Sequence, residues 1–192
     1  MGRRIRVAHL DEHPAILAGL EAIVAQAPDM TVVGSVRRES ELLELLATTD
    51  VDVVVTDVHH PHGDGLELTL DLKQRPQPPG VVIYTADASD SVVVAATLAG
   101  ANAVVSKTCP PPELLAAIRS VAAGSRLLPR LSVQMRRAAA SRLEPADHAI
   151  FAMRLAGEPL LQIGRVLGIP AAAIKHRLAR IIATLEPAGS AA

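Results

Sequence analysis

Five short runs, near residues 4–10, 31–36, 51–56, 80–84 and 103–106, are almost wholly apolar and are separated by stretches with helical periodicity. This alternation constrains the chain more than any other feature. A strand that is apolar on both faces must be covered on both faces, which is the situation of a parallel sheet wrapped in helices. The first intervening stretch places Ile16, Leu20, Ile23 and Val24 on one helical face. Further helices are expected near 39–47, 65–74, 89–99 and 111–123. Five such βα repeats within residues 1–124 predict a doubly wound, flavodoxin-like α/β domain with a five-stranded parallel sheet.

Four of the runs end on polar groups: Asp11-Glu12, Asp57, Thr85 and Lys107. The carboxyl ends of parallel strands share one edge of the sheet, where ligands bind. Carboxylates, a hydroxyl and an ammonium are therefore expected to converge there. Asp11, Glu12 and Asp57 are candidate ligands for Mg2+, which binds through one or two carboxylates and keeps several waters. Asp57 is also a candidate phosphoryl acceptor, since a carboxylate can attack an anionic donor where the charge is compensated. Lys107 can pair with Asp57 and later with a phosphoryl oxygen, and Thr85 can donate a hydrogen bond to the same group.

Composition divides the chain. Residues 1–124 hold 9 Lys and Arg against 16 Asp and Glu, whereas residues 125–192 hold 10 against 4. Opposite signs imply two modules with different partners, and the basic half suits a polyanion, because neutralising phosphates releases counterions. No apolar stretch approaches the roughly 20 residues of a membrane span. Cys109 is the sole cysteine, which leaves no internal disulfide and fits a reducing cytoplasm. Met1-Gly2-Arg3-Arg4 runs straight into the first strand without a signal-peptide pattern. A cytoplasmic protein with no membrane partner is expected.

Beyond Gly124 the pattern becomes helical. Residues 125–142 read as a partly helical, basic linker. A helix is expected from Pro145 to Gly157 with Ile150, Phe151 and Met153 buried, a short one from Pro159 to Leu167, and a last one from Ile169-Pro170 to about Leu185. Gly168 supplies the turn between the last two, as in a helix-turn-helix. In the last helix Ile174, Leu178, Ile181 and Leu185 share one face, and Ala172, His176, Ala179 and Arg180 lie opposite, flanked by Lys175 and Arg177. Residues 143–186 are read as a small all-α DNA-binding domain, and 187–192 as a disordered tail.

Residues 1–124 resemble the receiver domain of bacterial two-component response regulators. The resemblance is carried by Asp11-Glu12-His13-Pro14, Asp57 with Pro61 and Asp64-Gly65, Thr85-Ala86, and Gly100-Ala101 leading to Lys107. It implies a Mg2+-dependent aspartyl-phosphate at Asp57, a histidine kinase as donor, and the His59 backbone carbonyl as a further metal ligand. Residues 143–185 resemble the LuxR-type helix-turn-helix of the NarL/FixJ class through Leu143-x-Pro145, Gly157, Ile163, Leu167-Gly168-Ile169 and Ile174-Lys175. That resemblance puts Ala173, Lys175 and His176 at DNA-contacting places on duplex DNA, with Arg177 and Arg180 beside them. The chain departs from the family where Glu12 stands for the usual Asp, Val104 for the switching aromatic, and His60 for an apolar residue before Pro61. The class's further dimerising helix is also missing, so a homodimer would form through the receiver or the linker.

The reading is a transcriptional response regulator, not an enzyme. Glu12 and Val104 favour a phosphorylation-independent variant of it. A phosphohydrolase with Asp57 as nucleophile is more remote, since its second acid would fall at His59. The histidines His59, His60 and His62, with His9 and His13, form a rival candidate for a transition-metal site.

Overall fold

The computed structural model describes residues 3–60 and 63–186; Pro61, His62 and the expected tail at 187–192 lie outside the described residues. The first part alternates β1 (Ile5–Leu10), α1 (Pro14–Ala25), β2 (Met30–Val36), α2 (Glu39–Thr48) and β3 (Val53–Thr56). Two short antiparallel strands follow, β4 (His59–His60) and β5 (Gly63–Asp64), then α3 (Gly65–Leu72). The alternation resumes with β6 (Gly80–Thr85), α4 (Asp90–Ala99), β7 (Ala103–Ser106) and α5 (Pro111–Ala122). The main sheet has the order β2-β1-β3-β6-β7, and every pairing in it is parallel. Counted along the chain, its strands run 2-1-3-4-5, the flavodoxin-like winding.

Alternate strand residues feed two cores, because successive side chains leave opposite faces of a strand. Ala8, Leu10, Val54, Val81 and Ile83 pack with Leu42 of α2 and with α3 and α4. Val7, Val53, Val55, Val82 and Tyr84 pack with Leu20 and Val24 of α1 and with Leu114 and Ile118 of α5. The buried line of α1 runs through Leu17, Leu20 and Val24, leaving Ile16 and Ile23 half-buried. The helix is therefore rotated slightly from the face expected of its apolar period.

The second part contains α6 (Val133–Ala140), a 3-10 turn at Pro145–Asp147, α7 (His148–Leu155), α8 (Leu160–Leu167) and α9 (Ala171–Leu185). The single helix expected from Pro145 is divided, with the proline opening the 3-10 turn and α7 starting after it. Gly157 and Gly168 follow α7 and α8 with φ of 90° and 67°, a left-handed conformation that side chains disfavour.

Helix α4 joins the two parts. Val92, Val93, Val94, Ala95, Ala96, Leu98 and Ala99 are all buried, so the helix has almost no solvent face. On one side it meets α3, and on the other α6, α7 and α9. Ile150, Phe151, Ile163, Ile174, Leu178, Ile181, Ile182 and Leu185 thereby belong to the same apolar cluster as Leu10 and Ile83. Each fully buried Val, Leu or Ile contributes on the order of 1.5–3 kcal/mol, so this seam is a strong one.

Candidate functional site

Leu10 pairs with Thr56 in the parallel register of β1 and β3. Asp11 and Asp57, the next residues along, therefore leave the sheet side by side. They do so at the switch point, where β1 is flanked by β2 on one side and β3 on the other. From the next strands, the Lys107 backbone N–H donates to the Thr85 carbonyl at 2.8 Å and brings their two strand ends together. The Lys107 ammonium then reaches across, donating to Asp57 Oδ2 at 2.5 Å and to Asp11 Oδ2 at 2.7 Å.

The other carboxylate oxygens are also engaged. Asp57 Oδ1 accepts the Val58 N–H at 2.6 Å. Asp11 Oδ1 accepts the His13 N–H at 2.9 Å and lies 3.1 Å from His13 Nδ1. Asp11 is buried, and the Asp57 and Lys107 side chains are 18% and 15% exposed. Burial alone would lower the Lys107 pKa. The hydrogen bonds to Asp11 and Asp57 outweigh it and hold the ammonium above the ordinary lysine value. Three polar groups expected to converge thus form one charged unit, with the ammonium between two carboxylates.

Thr85 is buried beside them, and its hydroxyl oxygen accepts the Asp87 N–H at 3.3 Å. Gly65 supplies the close packing behind Asp57. Its N–H donates to the Val58 carbonyl at 2.7 Å, and a Cβ at this position would overlap the Asp57 carbonyl oxygen. Asp64 caps α3 by accepting the N–H groups of Leu66 and Glu67 at 2.7 and 3.1 Å. The Asp64-Gly65 pair therefore sets where α3 starts relative to Asp57.

The expected metal ligands divide. Asp11 and Asp57 offer the hard carboxylate oxygens that Mg2+ takes, and the ammonium between them shows that the position favours a cation. Glu12 Oε1 lies 3.8 Å from His13 Nδ1, the nitrogen that also faces Asp11, and its backbone oxygen accepts from Arg37 Nε at 3.1 Å. Among the described residues, Asp11, Glu12 and Asp57 do not bring three carboxylate oxygens within 4.8 Å of one another. Asp11 and Asp57 are thus the carboxylates whose surroundings fit Mg2+.

Of the expected imidazole cluster, His62 and the side chain of His60 lie outside the described residues, and His9, His13 and His59 are not brought together. His9 is fully buried with both ring nitrogens unpartnered, and burial drives its pKa down to about 4 against the opposing charge of Glu21. His13 is exposed beside Asp11. His59 instead approaches Asp64 and Glu186. Burial, followed by the charge of Asp64, raises the Glu186 carboxyl to about 8.

On α9 the expected DNA-facing residues have different surroundings. Ala173, His176 and Arg180 are exposed. The Lys175 Nζ lies 2.5 Å from Asp71 Oδ1 of the sheet domain. Arg177 donates through Nε and Nη2 to Asp147 Oδ1 at 2.9 and 2.5 Å, tying α9 to the 3-10 turn. Neither acidic partner is expected from the sequence, because nothing in its local pattern marks it as a partner of α9. Arg154, also unmarked, donates Nε to the Leu98 carbonyl at 2.8 Å and so holds α7 to the end of α4.

No helix among the described residues is long and apolar enough to cross a membrane. Residues 7–119 match the family described as "Response regulator receiver domain". The chain is 28% identical over 188 residues to the nitrate/nitrite response regulator protein NarL of Escherichia coli K12, covering 92% of this chain and 87% of that one. It is 34% identical over 142 residues to the transcriptional regulatory protein UhpA of Salmonella typhimurium, covering 73% of this chain and 69% of that one. A solved structure of two RcsB dimers bound to two parallel DNAs shares the fold with a TM-score of 0.64 at 22% identity, covering 96% of this chain and 94% of that one.

Proposed function

The chain belongs to the response regulator receiver family, in its NarL/FixJ class, and from that premise we propose that it is a DNA-binding transcription regulator phosphorylated on Asp57 by a histidine kinase with Mg2+. The observation that carries this reading is the Lys107 ammonium held between Asp57 and Asp11 at the sheet's switch point. An Asp57 oxygen attacks the donor's phosphorus, the bond from phosphorus to the donor nitrogen breaks, and the phosphoryl group stays on Asp57. Lys107 follows the new negative charge, and Thr85 donates its hydroxyl hydrogen to a phosphoryl oxygen. Asp11, Asp57 and the His59 carbonyl would hold the Mg2+, which when bound supplies positive charge to offset that of the phosphoryl oxygens.

The output is duplex DNA, met by α9 through Ala173, Lys175, His176 and Arg180, while Arg177 shapes the unit from within. Residues 143–186 form the DNA-binding unit, 125–142 the linker and 1–124 the receiver. Dimerisation runs through the receiver or the linker, and the protein acts in the cytoplasm. Because Lys175 is paired with Asp71, its engagement of DNA competes with that pair.

Incubation with acetyl phosphate and Mg2+, followed by intact-mass measurement, is expected to give one phosphoryl adduct in the wild type and none in Asp57→Asn. No adduct in either protein would refute the phosphoacceptor reading. It would support the phosphorylation-independent alternative, which the residues Glu12 and Val104 favour.

A further inference from the structure

Where α3 and α4 meet the helical unit, a cavity of about 260 Å3 is lined by Lys73, Arg126 and Arg154 around Gly100, with only neutral residues otherwise. The three cations come from separate stretches: the end of α3, the segment after α5, and α7. Two of the heads are anchored. Lys73 Nζ donates to the Pro79 carbonyl at 2.6 Å and to Asn102 Oδ1 at 2.7 Å. Arg154 donates to the carbonyls of Leu98 at 2.8 Å and Glu158 at 3.2 Å. Arg126 is exposed at the rim. Gly100 is what admits Arg154, since a Cβ there would lie 2.8 Å from Arg154 Nη2.

The acceptors that hold these heads are uncharged. The carboxyl end of α4 contributes only about half a negative charge, against three full positive ones. Burial, and after it the charge of Arg126, pushes the Lys73 ammonium down to about 8 and draws Arg154 below the usual arginine range. The charge that each of these two groups feels is thus another cation. Such convergence in a half-buried seam is costly unless an anion joins it.

We propose that this cavity binds a small phosphate-type anion, a phosphate or diphosphate group, held by Arg126 through its N–H fork, by the N–H groups of Arg154 not taken by the Leu98 and Glu158 carbonyls, and by Lys73 as a point charge. Guanidinium forks match phosphate oxygens in pairs, and the volume lies below the roughly 300–1,000 Å3 of sites for drug-sized ligands. The bound anion touches the sheet domain through Lys73 and the helical unit through Arg154. It therefore favours the closed packing of the two.

The test is thermal unfolding of the full chain at constant ionic strength, without Mg2+ so that the Asp57 site does not contribute. Inorganic phosphate is expected to raise the melting temperature saturably, and diphosphate to do so at lower concentration. Arg126→Gln is expected to weaken the apparent affinity roughly tenfold, about 1.4 kcal/mol. Arg154→Gln is expected to abolish the effect, and Arg130→Gln, outside the cavity, to leave it intact. A nucleoside diphosphate as effective as diphosphate would support a carried phosphate group, and a weaker one a free anion. No saturable rise, an equal rise with chloride, or an undiminished one in Arg126→Gln would overturn the proposal. The exposed position of Arg126 keeps the test decisive even if Arg154→Gln does not fold.

Discussion

The ammonium of Lys175 on α9 lies 2.5 Å from a carboxylate oxygen of Asp71, at the end of α3, with the two side chains 39% and 42% exposed. A pair this exposed is worth on the order of 0–1 kcal/mol. The apolar seam around α4 is far larger, so burial closes the molecule and the ion pair decides what Lys175 can contact while it is closed.

Asp71→Asn is expected to release Lys175 with little change in melting temperature. DNA binding, followed by fluorescence anisotropy, should tighten by up to about fivefold, corresponding to about 1 kcal/mol. Lys175→Ala should weaken binding and flatten its salt dependence. Unaltered affinity in Asp71→Asn alongside lost affinity in Lys175→Ala would show that the pair does not compete with DNA.

Lys107→Gln leaves Asp11 and Asp57 facing each other without a cation. Breaking such a largely buried pair costs roughly 2–4 kcal/mol, slightly discounted for residual exposure. Because the folded pKa of Lys107 is raised, its contribution to wild-type stability is fully present below about 10.5 and is lost as pH rises through the higher folded value. Urea unfolding should show this deficit at neutral pH, and added Mg2+ should stabilise the variant more than the wild type. Equal Mg2+ effects on both proteins would contradict the shared position of metal and ammonium.

His9 gives the opposite pH signature. Its folded pKa is lowered from 6.5 to about 4, so above pH 6.5, where both folded and unfolded chains hold it neutral, its titration adds no pH-dependent penalty. As pH falls from 6.5 towards 4, the unfolded chain gains a proton that the folded one refuses, and about 3 kcal/mol is lost. His9→Leu should lack that part of the slope when the two unfolding profiles are subtracted. Parallel profiles would mean that His9 is protonated in the folded state.

Gly65→Ala pushes a methyl group into the Asp57 carbonyl. Backbone cannot yield as a side chain does, so a loss of at least about 1–3 kcal/mol is expected, together with a lower phosphoryl yield at Asp57. A variant with wild-type melting temperature and yield would show that the α3 start tolerates displacement.

Much of the site is legible in the sequence because the carboxyl end of a strand lies where its apolar run stops. In a parallel sheet those ends meet, so Asp11, Asp57, Thr85 and Lys107 group together from their positions alone. Glu12 is not placed in this way, since its rotamer answers to His13 and to the turn that follows. The pairs Lys175–Asp71 and Arg177–Asp147 join segments distant along the chain, and no local period encodes them. The union of the two halves does leave one sequence signal: Asp90-Ser-Val-Val-Val-Ala-Ala-Thr-Leu-Ala99 is apolar nearly all round, the pattern of a helix buried on every side.

That burial has a consequence for how such a protein can be rebuilt. A receiver whose α4 presents a wet face can be cut from its output and joined to another, whereas this one would bare a stripe of valines and alanines to water. The two halves are therefore poor interchangeable parts. A chimera carrying a foreign output unit should aggregate or self-associate unless that unit brings its own apolar cover for Val93, Val94 and Leu98.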